Sequence, residues 1–229
     1  NSKDGVGELF DESIRSWPLF GEDQFEKSAE ERNMEDADLG FVISAPVLNL
    51  IEGNRVIEIK LEFDKNSYID FDDYINSYAK AVEISPDNAF YRLISKAFQV
   101  SFTNVEGWID YSKPDITPII DEEKDEYAFL VKLKLKQDRE SIDLYNPLIH
   151  GDNLDLEWPA IRMMLNNYAT YNAYVALKML VLKKISIDVH VEGYRSLVVH
   201  NNVGPVNTDT PFQPFGPIPQ LGSYFCFGD

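Results

Sequence analysis

Three segments of the chain alternate between apolar and polar residues. Every second residue is apolar in residues 56–63, and the same period recurs in residues 127–136 and 181–192. Successive side chains of a β-strand point to opposite faces of a sheet, so this period predicts strands with one buried and one hydrated face. Sheets that are hydrated on one face are typically antiparallel. The alternation therefore predicts an antiparallel, β-rich fold.

Weaker signals predict further strands. The turn Gly53-Asn54 precedes residues 56–63, and residues 41–50 are expected to pair with them as a hairpin. Residues 97–109 are predicted to form one strand, and the charged residues 121–126 a loop. After residues 181–192, a turn at Gly193-Tyr194 predicts that residues 196–200 return as the next strand.

A few short helices are also predicted. Residues 70–82 carry apolar side chains at helical spacing, with aspartates near the start, and residues 88–97 suggest a second helix. Pro159 is suitably placed to begin a helix that ends near Asn167. A helical turn is predicted at 174–179. The predicted fold class is mainly β (α+β): an antiparallel sandwich-like domain with two or three packed short helices.

Composition divides the chain into two regions. Residues 1–39 are rich in acid and poor in aliphatic residues, which predicts an acidic arm or linker. Residues 40–229 are predicted to form the β-rich domain. The hydrophobic share of 44% and the aromatic share of 13% are typical of a folded chain. Because the sequence begins with Asn1 and not Met, we expect it to be a fragment of a larger protein.

The net charge narrows the classes of partner. Lys plus Arg number 21 against 39 Asp plus Glu, giving −18. Such a surface repels phosphate backbones, so no nucleic-acid binding is predicted, and part of the charge could steer basic partners. No apolar run approaches the roughly 20 residues that cross a bilayer, so no membrane span is predicted. No signal peptide is visible, so a cytoplasmic location is expected.

The C-terminal segment 204–228 combines prolines with aromatic residues. Five of the twelve prolines fall between Pro205 and Pro219, and they exclude a helix or a central strand there. Phenylalanines on a stiff, extended segment predict an interaction strap that buries its rings against a folded surface. The strap comprises Pro211, Phe212, Pro214, Phe215, Gly216 and Pro217. It could close the core of its own domain or dock onto a neighbouring subunit. The nearby Cys226 is predicted to be a buried, inert thiol.

Several segments together resemble a known family. They are GFVISAPVLNL at 40–50, the strand at 55–63, FQVSFTNVEGW at 98–108, PAIRMMLN at 159–166, residues 181–199, NNVGPVN at 201–207 and PFQPFGPIPQLGS at 211–223. In this order they resemble baseplate J-like, wedge-type proteins of phage-tail-like contractile injection systems of the Bacteroidetes type. The resemblance covers roughly residues 40–228. It implies a structural subunit of a longer protein, with other baseplate subunits (wedge, hub or sheath-linked proteins) as partners and no catalytic residues.

The sequence patterns that could indicate a metal site or a catalytic site are weak. Asp188, His190 and Glu192 share one face of a predicted strand, which suits either a metal half-site or, more simply, a polar face. The oxygen-rich residues 64–73 lack the glycine and the final acid of an EF-hand, so an acid cluster at a helix start is the better interpretation. We predict no metal, no cofactor, no catalytic residue and no enzymatic activity.

Two functions remain open from the sequence. The first is protein–protein assembly in the baseplate of a contractile injection particle, as the resemblance implies. The alternative is a carbohydrate-binding β-sandwich module, in which Trp108 and Trp158 would stack on sugar rings. Both tryptophans could equally be packing residues. Coplanar, exposed rings would favour sugar binding, whereas buried rings would favour assembly.

Overall fold

The computed structural model describes residues 17–18, 39–137, 139–151, 154–166, 169–194 and 197–228, with the first pair as backbone alone. Twelve strands are described in these ranges: β1 Trp17–Pro18, β2 Gly40–Ser44, β3 Asn54–Phe63, β4 Phe98–Asn104, β5 Gly107–Tyr111, β6 Asp115–Asp121, β7 Glu126–Leu135, β8 Ala160–Leu165, β9 Val181–Glu192, β10 Val198–Asn201, β11 Gly204–Val206 and β12 Phe225–Gly228. The helices are α1 Lys65–Ala81, α2 Pro86–Ile94, α3 Pro147–His150 and α4 Tyr171–Leu177, with a 3-10 turn at Pro46–Leu48.

The strands form three sheets, and the described pairings are all antiparallel. A five-stranded sheet has the order β1-β9-β3-β7-β6, and a four-stranded sheet has the order β2-β8-β4-β5. A small third sheet has the order β11-β10-β12. The first two sheets share one contiguous apolar core with helices α1, α2 and α4. The predicted fold class, an antiparallel sandwich-like β domain with packed helices, is confirmed.

Strand β3 lies in the middle of the five-stranded sheet and keeps the predicted alternation. Ile57, Ile59 and Leu61 are fully buried, because they point toward the core between β7 and β9. The opposite face is charged. There Lys60 Nζ lies 3.0 Å from Glu126 Oε1 on β7. Similar pairs join Glu58 to Lys132 and Glu62 to Lys60 and Lys184. The outer face is thus hydrated, and the pairs that join β3 to β7 and β9 favour the observed register.

Helix α1 covers the core and begins five residues before the predicted start at residue 70. The carboxylate of Asp64 accepts hydrogen bonds from the backbone N–H of Asn66 (2.9 Å) and Ser67 (3.2 Å), which is an N-cap. The prediction of a helix-start acid cluster is thus right for Asp64 alone. Asp70, Asp72 and Asp73 lie within the helix.

The predicted hairpin between residues 41–50 and 56–63 is wrong. β2 pairs with β8, in the other large sheet. After β2, the 3-10 turn at Pro46–Leu48 redirects the chain, and Leu50 then bridges to Ile142. A proline-initiated turn so close to the strand end prevents direct return of the chain along β3.

The predicted helix that begins at Pro159 is also wrong. Residues 160–165 form β8, a central strand between β2 and β4, with Ala160, Ile161 and Met163 buried. Alanine, methionine and leucine favour helices in isolation, but pairing on both edges overrides that weak preference.

The predicted strand 97–109 is two strands, β4 and β5, joined by a tight turn at Val105-Glu106. Gly107 ends that turn with a φ of 136°, a conformation that favours glycine. β6 was not predicted. It contains Pro118, which lacks a backbone donor, and it lies at a sheet edge, where proline is tolerated.

The return of residues 196–200 alongside β9 is not observed. Strand β10 pairs instead with β11 and β12 in the small third sheet. Most of the predicted acidic arm, residues 1–39, lies outside the described residues. Within it, Trp17 and Pro18 pair with Leu182 and Val181 at the edge of the five-stranded sheet. No described helix is both long and apolar enough to cross a membrane.

Arg55 is fully buried near the start of β3 although neighbouring core positions are apolar. Its guanidinium donates to four backbone carbonyls, those of Leu50, Lys136, Arg139 and Glu140, at 2.9–3.1 Å. Burial lowers the pKa of this guanidinium, and the nearby charge of Glu140 opposes that effect. Arg55 therefore stabilises the loop that follows β7.

Candidate functional site

The third sheet and the proline-rich segment together form one surface, residues 197–228, which we call the C-terminal surface. On one face of the sheet, Val199 lies opposite Val206 on β11 and Phe227 on β12. Directly opposed residues of an antiparallel pair share a face. The other face therefore carries His200, Pro205 and Cys226, all exposed.

The strap lies against this sheet and contacts it at three points. The ring of Phe212 stacks on that of Phe225, with centroids 6.0 Å apart and planes at 23°. The side-chain amide of Asn201 donates to the carbonyl of Gln213 at 3.4 Å. Gly216 is buried with a φ of 79°, and a Cβ there would lie 3.0 Å from Val203 Cγ2. Glycine thus allows the strap to approach the β10–β11 turn.

The predicted burial of the strap rings is reached only in part within the chain. Phe212 remains 37% exposed and Phe215 49% exposed. The neighbouring Pro211, Pro214 and Pro217 are also exposed. The segment 211–219 contains neither helix nor strand, as the prolines predict. The strap therefore follows its own sheet but leaves much ring surface open, and its docking onto a neighbour stays a prediction.

Exposed apolar side chains are concentrated on the C-terminal surface. Those within residues 197–228 are Leu197, Val198, Val203, Phe212, Phe215, Ile218, Leu221, Tyr224 and Phe227. Residues 197–228 contain one charged residue, Asp209, although 26% of the whole chain is charged. Extended apolar exposure without charge is typical of surfaces that bind other proteins.

This surface lies outside the apolar core that the two larger sheets share. In chain order that core ends at Val191 among the described residues. Within residues 197–228, the buried side chains are those of Val199, 5% exposed, and Asn201. A sheet of three strands with three or four residues each has little apolar area to bury by itself.

The prediction that Cys226 is a buried thiol is wrong. Cys226 lies on β12 and is exposed. The segment around it alternates weakly, and only Phe225 of this strand is partly covered. β12 has no partner strand on its outer edge among residues 39–228 as described, so the thiol lies at an open sheet edge.

The two candidate sugar-binding tryptophans are not arranged as a platform. Trp108 is half-buried: the Arg162 guanidinium lies 4.4 Å from its ring centroid, and its Nε1–H donates to the carbonyl of His150 at 2.9 Å. Trp158 is exposed beside the end of β2, where its carbonyl accepts from Ser44 Oγ. One face of Trp108 is thus occupied by Arg162, which favours packing over sugar stacking for this residue.

The candidate metal ligands lie on exposed surface. Asp188, His190 and Glu192 share the outer face of β9, and His190 Nε2 lies 3.2 Å from Glu192 Oε1. In the described part of the chain, no group of three or more His, Cys, Asp or Glu side chains could hold a metal ion. This arrangement suits the simpler interpretation, a polar strand face.

A shallow depression of about 480 Å³ lies between α1 and the β6–β7 turn. It is lined by Lys65, Tyr68, Ile69, Asp72, Ile120, Glu122 and Tyr127. Burial, and secondarily the charge of Asp72, raise the pKa of the Tyr68 phenol well above its usual range. The hydrogen bond from Lys65 Nζ to Asp125 (2.9 Å) raises the pKa of Lys65. Both groups keep their ordinary neutral-pH states: Tyr68 protonated and Lys65 charged.

The chain has no match among models of known protein families or among curated proteins.

Proposed function

We propose that this chain is a structural domain that mediates protein–protein assembly, and that it belongs to the baseplate of a contractile injection particle. The observation that supports an assembly role is the C-terminal surface, which carries one charged residue and is apolar and exposed on an otherwise strongly acidic domain. The baseplate context rests on the ordered sequence resemblance described above. The expected partners are other baseplate subunits.

The energetics favour such a role for the strap. Burying a phenylalanine contributes about 1.5–3 kcal/mol, and Phe212 and Phe215 each retain part of this free energy for a partner. The prolines reduce the conformational freedom of the strap before binding, so less entropy is lost on association. With one charge in residues 197–228, little charged surface has to be dehydrated.

The test introduces a charge into this surface. In the parent protein, expressed with an affinity tag in its own cells, Phe215→Asp and Ile218→Asp each alter an exposed side chain. We expect both variants to be absent from sedimented particles, because a buried carboxylate without a partner is strongly unfavourable. Tyr91→Asp is the matched control, since Tyr91 is an aromatic residue on α2 whose exposed fraction lies between those of Phe215 and Ile218. It should enter particles normally.

Stability measurements separate assembly from folding. In the 229-residue chain, the urea midpoints of all three variants should stay close to that of the unchanged protein. Normal incorporation of Phe215→Asp and Ile218→Asp would contradict the assembly role of this surface. If the unchanged parent protein does not co-sediment with sheath and tube proteins, the baseplate context is wrong, whatever the variants do.

A further inference from the structure

The segment between β7 and β8 is a long connection with an unusual set of anchors. It runs through residues 136–159 and contains one short helix, α3, and two isolated bridges. Connections of this length are uncommon in compact domains and are often functional. Thr103 Oγ1 donates to the Asp143 carbonyl, and Asn104 Nδ2 donates to the Ser141 carbonyl at 2.9 Å. Buried side chains of β4 thus attach this loop to the four-stranded sheet.

The buried side chain of His150 holds α3 in place through hydrogen bonds to Asn146 and Asn104. The Asn146 N–H donates to His150 Nδ1 at 2.9 Å. With Nδ1 as acceptor, Nε2 carries the proton and donates to the Asn104 carbonyl at 3.0 Å. The ring also stacks on Tyr145, whose hydroxyl donates to the Gly151 carbonyl and accepts from the Leu154 N–H. Buried polar groups thus hold both ends of a four-residue helix.

This rigid support presents apolar side chains to solvent. Leu148, on α3, is 94% exposed, and Ile149 beside it is also exposed. Val105 in the β4–β5 turn, Leu144 and Trp158 are also exposed. Their backbone segments are joined to one another and to α3: Leu144 bridges to Pro159, the Asp143 N–H donates to the Thr103 carbonyl, and His150 donates to the Asn104 carbonyl. We call the five exposed residues the α3 surface. Preorganised apolar side chains bind with a small entropic cost.

The α3 surface has an acidic surround. Residues 140–161 include five acids and no Lys or Arg. Asp155 and Glu157 are exposed on either side of Leu156, next to Trp158, and Glu106 is exposed next to Val105. An apolar centre with a charged rim is the usual anatomy of a transient or assembly interface, and the rim charge selects the partner.

We infer that the α3 surface is a second docking site, which takes an apolar cleft bordered by lysine or arginine side chains on a different subunit. Leu148 and Ile149 fill the cleft, and Asp155, Glu157 and Glu106 face the basic border. The inference rests on the proposed assembly role, but it uses other residues than the C-terminal surface. A domain with both sites joins two unlike neighbours: one through a neutral surface, the other through an acid-bordered one.

A second copy of this chain fits the α3 surface poorly. Each copy carries a net charge of −18, and the same acidic border would meet itself across a two-fold axis. Like charges opposed in this way disfavour the contact. A basic partner gains from the same field, both in approach rate and in specificity.

The experiment places the photo-crosslinking amino acid p-benzoylphenylalanine at position 148 of the tagged parent protein in its own cells, with position 91 as control. We expect position 148 to crosslink to one protein other than the parent, through a peptide with apolar residues flanked by Lys or Arg. The yield should be at least fivefold above that at position 91. In extracts, raising salt from about 50 to 300 mM should reduce the yield several-fold, because the Debye length shortens.

Paired charge reversals test whether the acidic residues beside the α3 surface face the basic border of the partner. Asp155→Lys with Glu157→Lys should reduce the crosslink at least fivefold, whereas Glu122→Lys with Glu123→Lys, the same change of charge in the β6–β7 turn, should leave it unchanged. Phe215→Asp should remove the chain from particles but keep this crosslink in extracts. A crosslink to a second copy or within the chain, one to a peptide without basic residues, or no yield above position 91 would overturn the inference. If Phe215→Asp still removed the chain from particles in that case, the proposed function would stand although the inference about the α3 surface had failed.

Discussion

The sandwich and the C-terminal surface differ in where their apolar residues lie. In the sandwich, two sheets and the helices enclose a continuous core, and Phe129 is fully buried among the rings of Phe63, Phe71 and Phe90. In the C-terminal surface, three short strands and the strap bury Val199 and leave most larger apolar side chains exposed. The first region is stabilised by its own interior, whereas the second leaves an exposed apolar surface, the kind on which the proposed assembly role depends.

Charge follows the same division. The outer face of the five-stranded sheet carries cross-strand ion pairs such as Lys60 with Glu126. Residues 197–228 carry Asp209 alone. A hydrated, charged face resists association, whereas an uncharged face is readily dehydrated. The difference is therefore one of exposure: the sandwich encloses its apolar side chains, whereas the C-terminal surface leaves most of its apolar side chains open to solvent.

The largest expected effect is the loss of stability when one phenylalanine is replaced in each of the two regions. Phe129→Ala should lower the free energy of unfolding by about 3–5 kcal/mol, because it leaves a cavity in a closely packed core. Phe215→Ala should change it by less than about 0.5 kcal/mol, because the ring is half exposed. Urea unfolding of the 229-residue chain, followed by circular dichroism, measures both. Equal losses for the two variants would show that the strap belongs to the main core.

A smaller effect concerns cooperativity. Val199→Ala should weaken the third sheet by about 1–2 kcal/mol, which corresponds to roughly 5–30-fold faster amide exchange in β10, β11 and β12. Exchange in β3 and β7 should not change, since these strands share a separate core. Hydrogen exchange with mass spectrometry resolves these segments. If Val199→Ala accelerates exchange in β3 equally, the two regions unfold as one unit.

The smallest effect tests the charged face through pH. Hydrogen bonds with Glu126 and Glu62 raise the pKa of Lys60, against the effect of burial. Because the folded pKa lies above the unfolded value of about 10.4, the stabilisation is complete at pH 7 and is lost as pH rises through the folded pKa. Lys60→Met should therefore cost about 0.2–1 kcal/mol at pH 7 and less above about pH 11.

Urea midpoints of both proteins between pH 7 and pH 11.5 give this difference, and groups common to both cancel. Lys96→Met is the control, since Lys96 is exposed and forms no ion pair with the residues that the structure describes. A cost for Lys60→Met that does not decline at high pH would mean that the lysine stem, and not its charge, stabilises the sheet.

Much of the main sheet was predictable because its strands carry a local signal. β3, β7 and β9 alternate cleanly, and their bounds lie within two residues of the predicted ones. β8 gave no such signal: its residues favour a helix, and it became a strand by pairing with β2 and β4. Which strands pair depends on contacts between distant residues, and period alone does not encode them.

The candidate sites show the same limits. The strap was found from sequence, because prolines beside phenylalanines are a local pattern; its partial exposure was not. The α3 surface was missed entirely. Leu148 and Ile149 look like ordinary core residues in the sequence, and the excess of acids over residues 140–161 was the one signal that could have marked their surroundings.

By itself, the sequence determined the β-rich class, the acidic charge, the alternating strands and the stiff C-terminal strap, because each depends on neighbouring residues or on composition. The tertiary structure decided the division into three sheets, the pairing of β2 with β8, and the exposure of Leu148 and Cys226. It also decided that Arg55, in an apolar interior, meets four carbonyls. Burial and pairing arise when distant segments meet, so their free energy is a property of the packed chain and not of any local stretch.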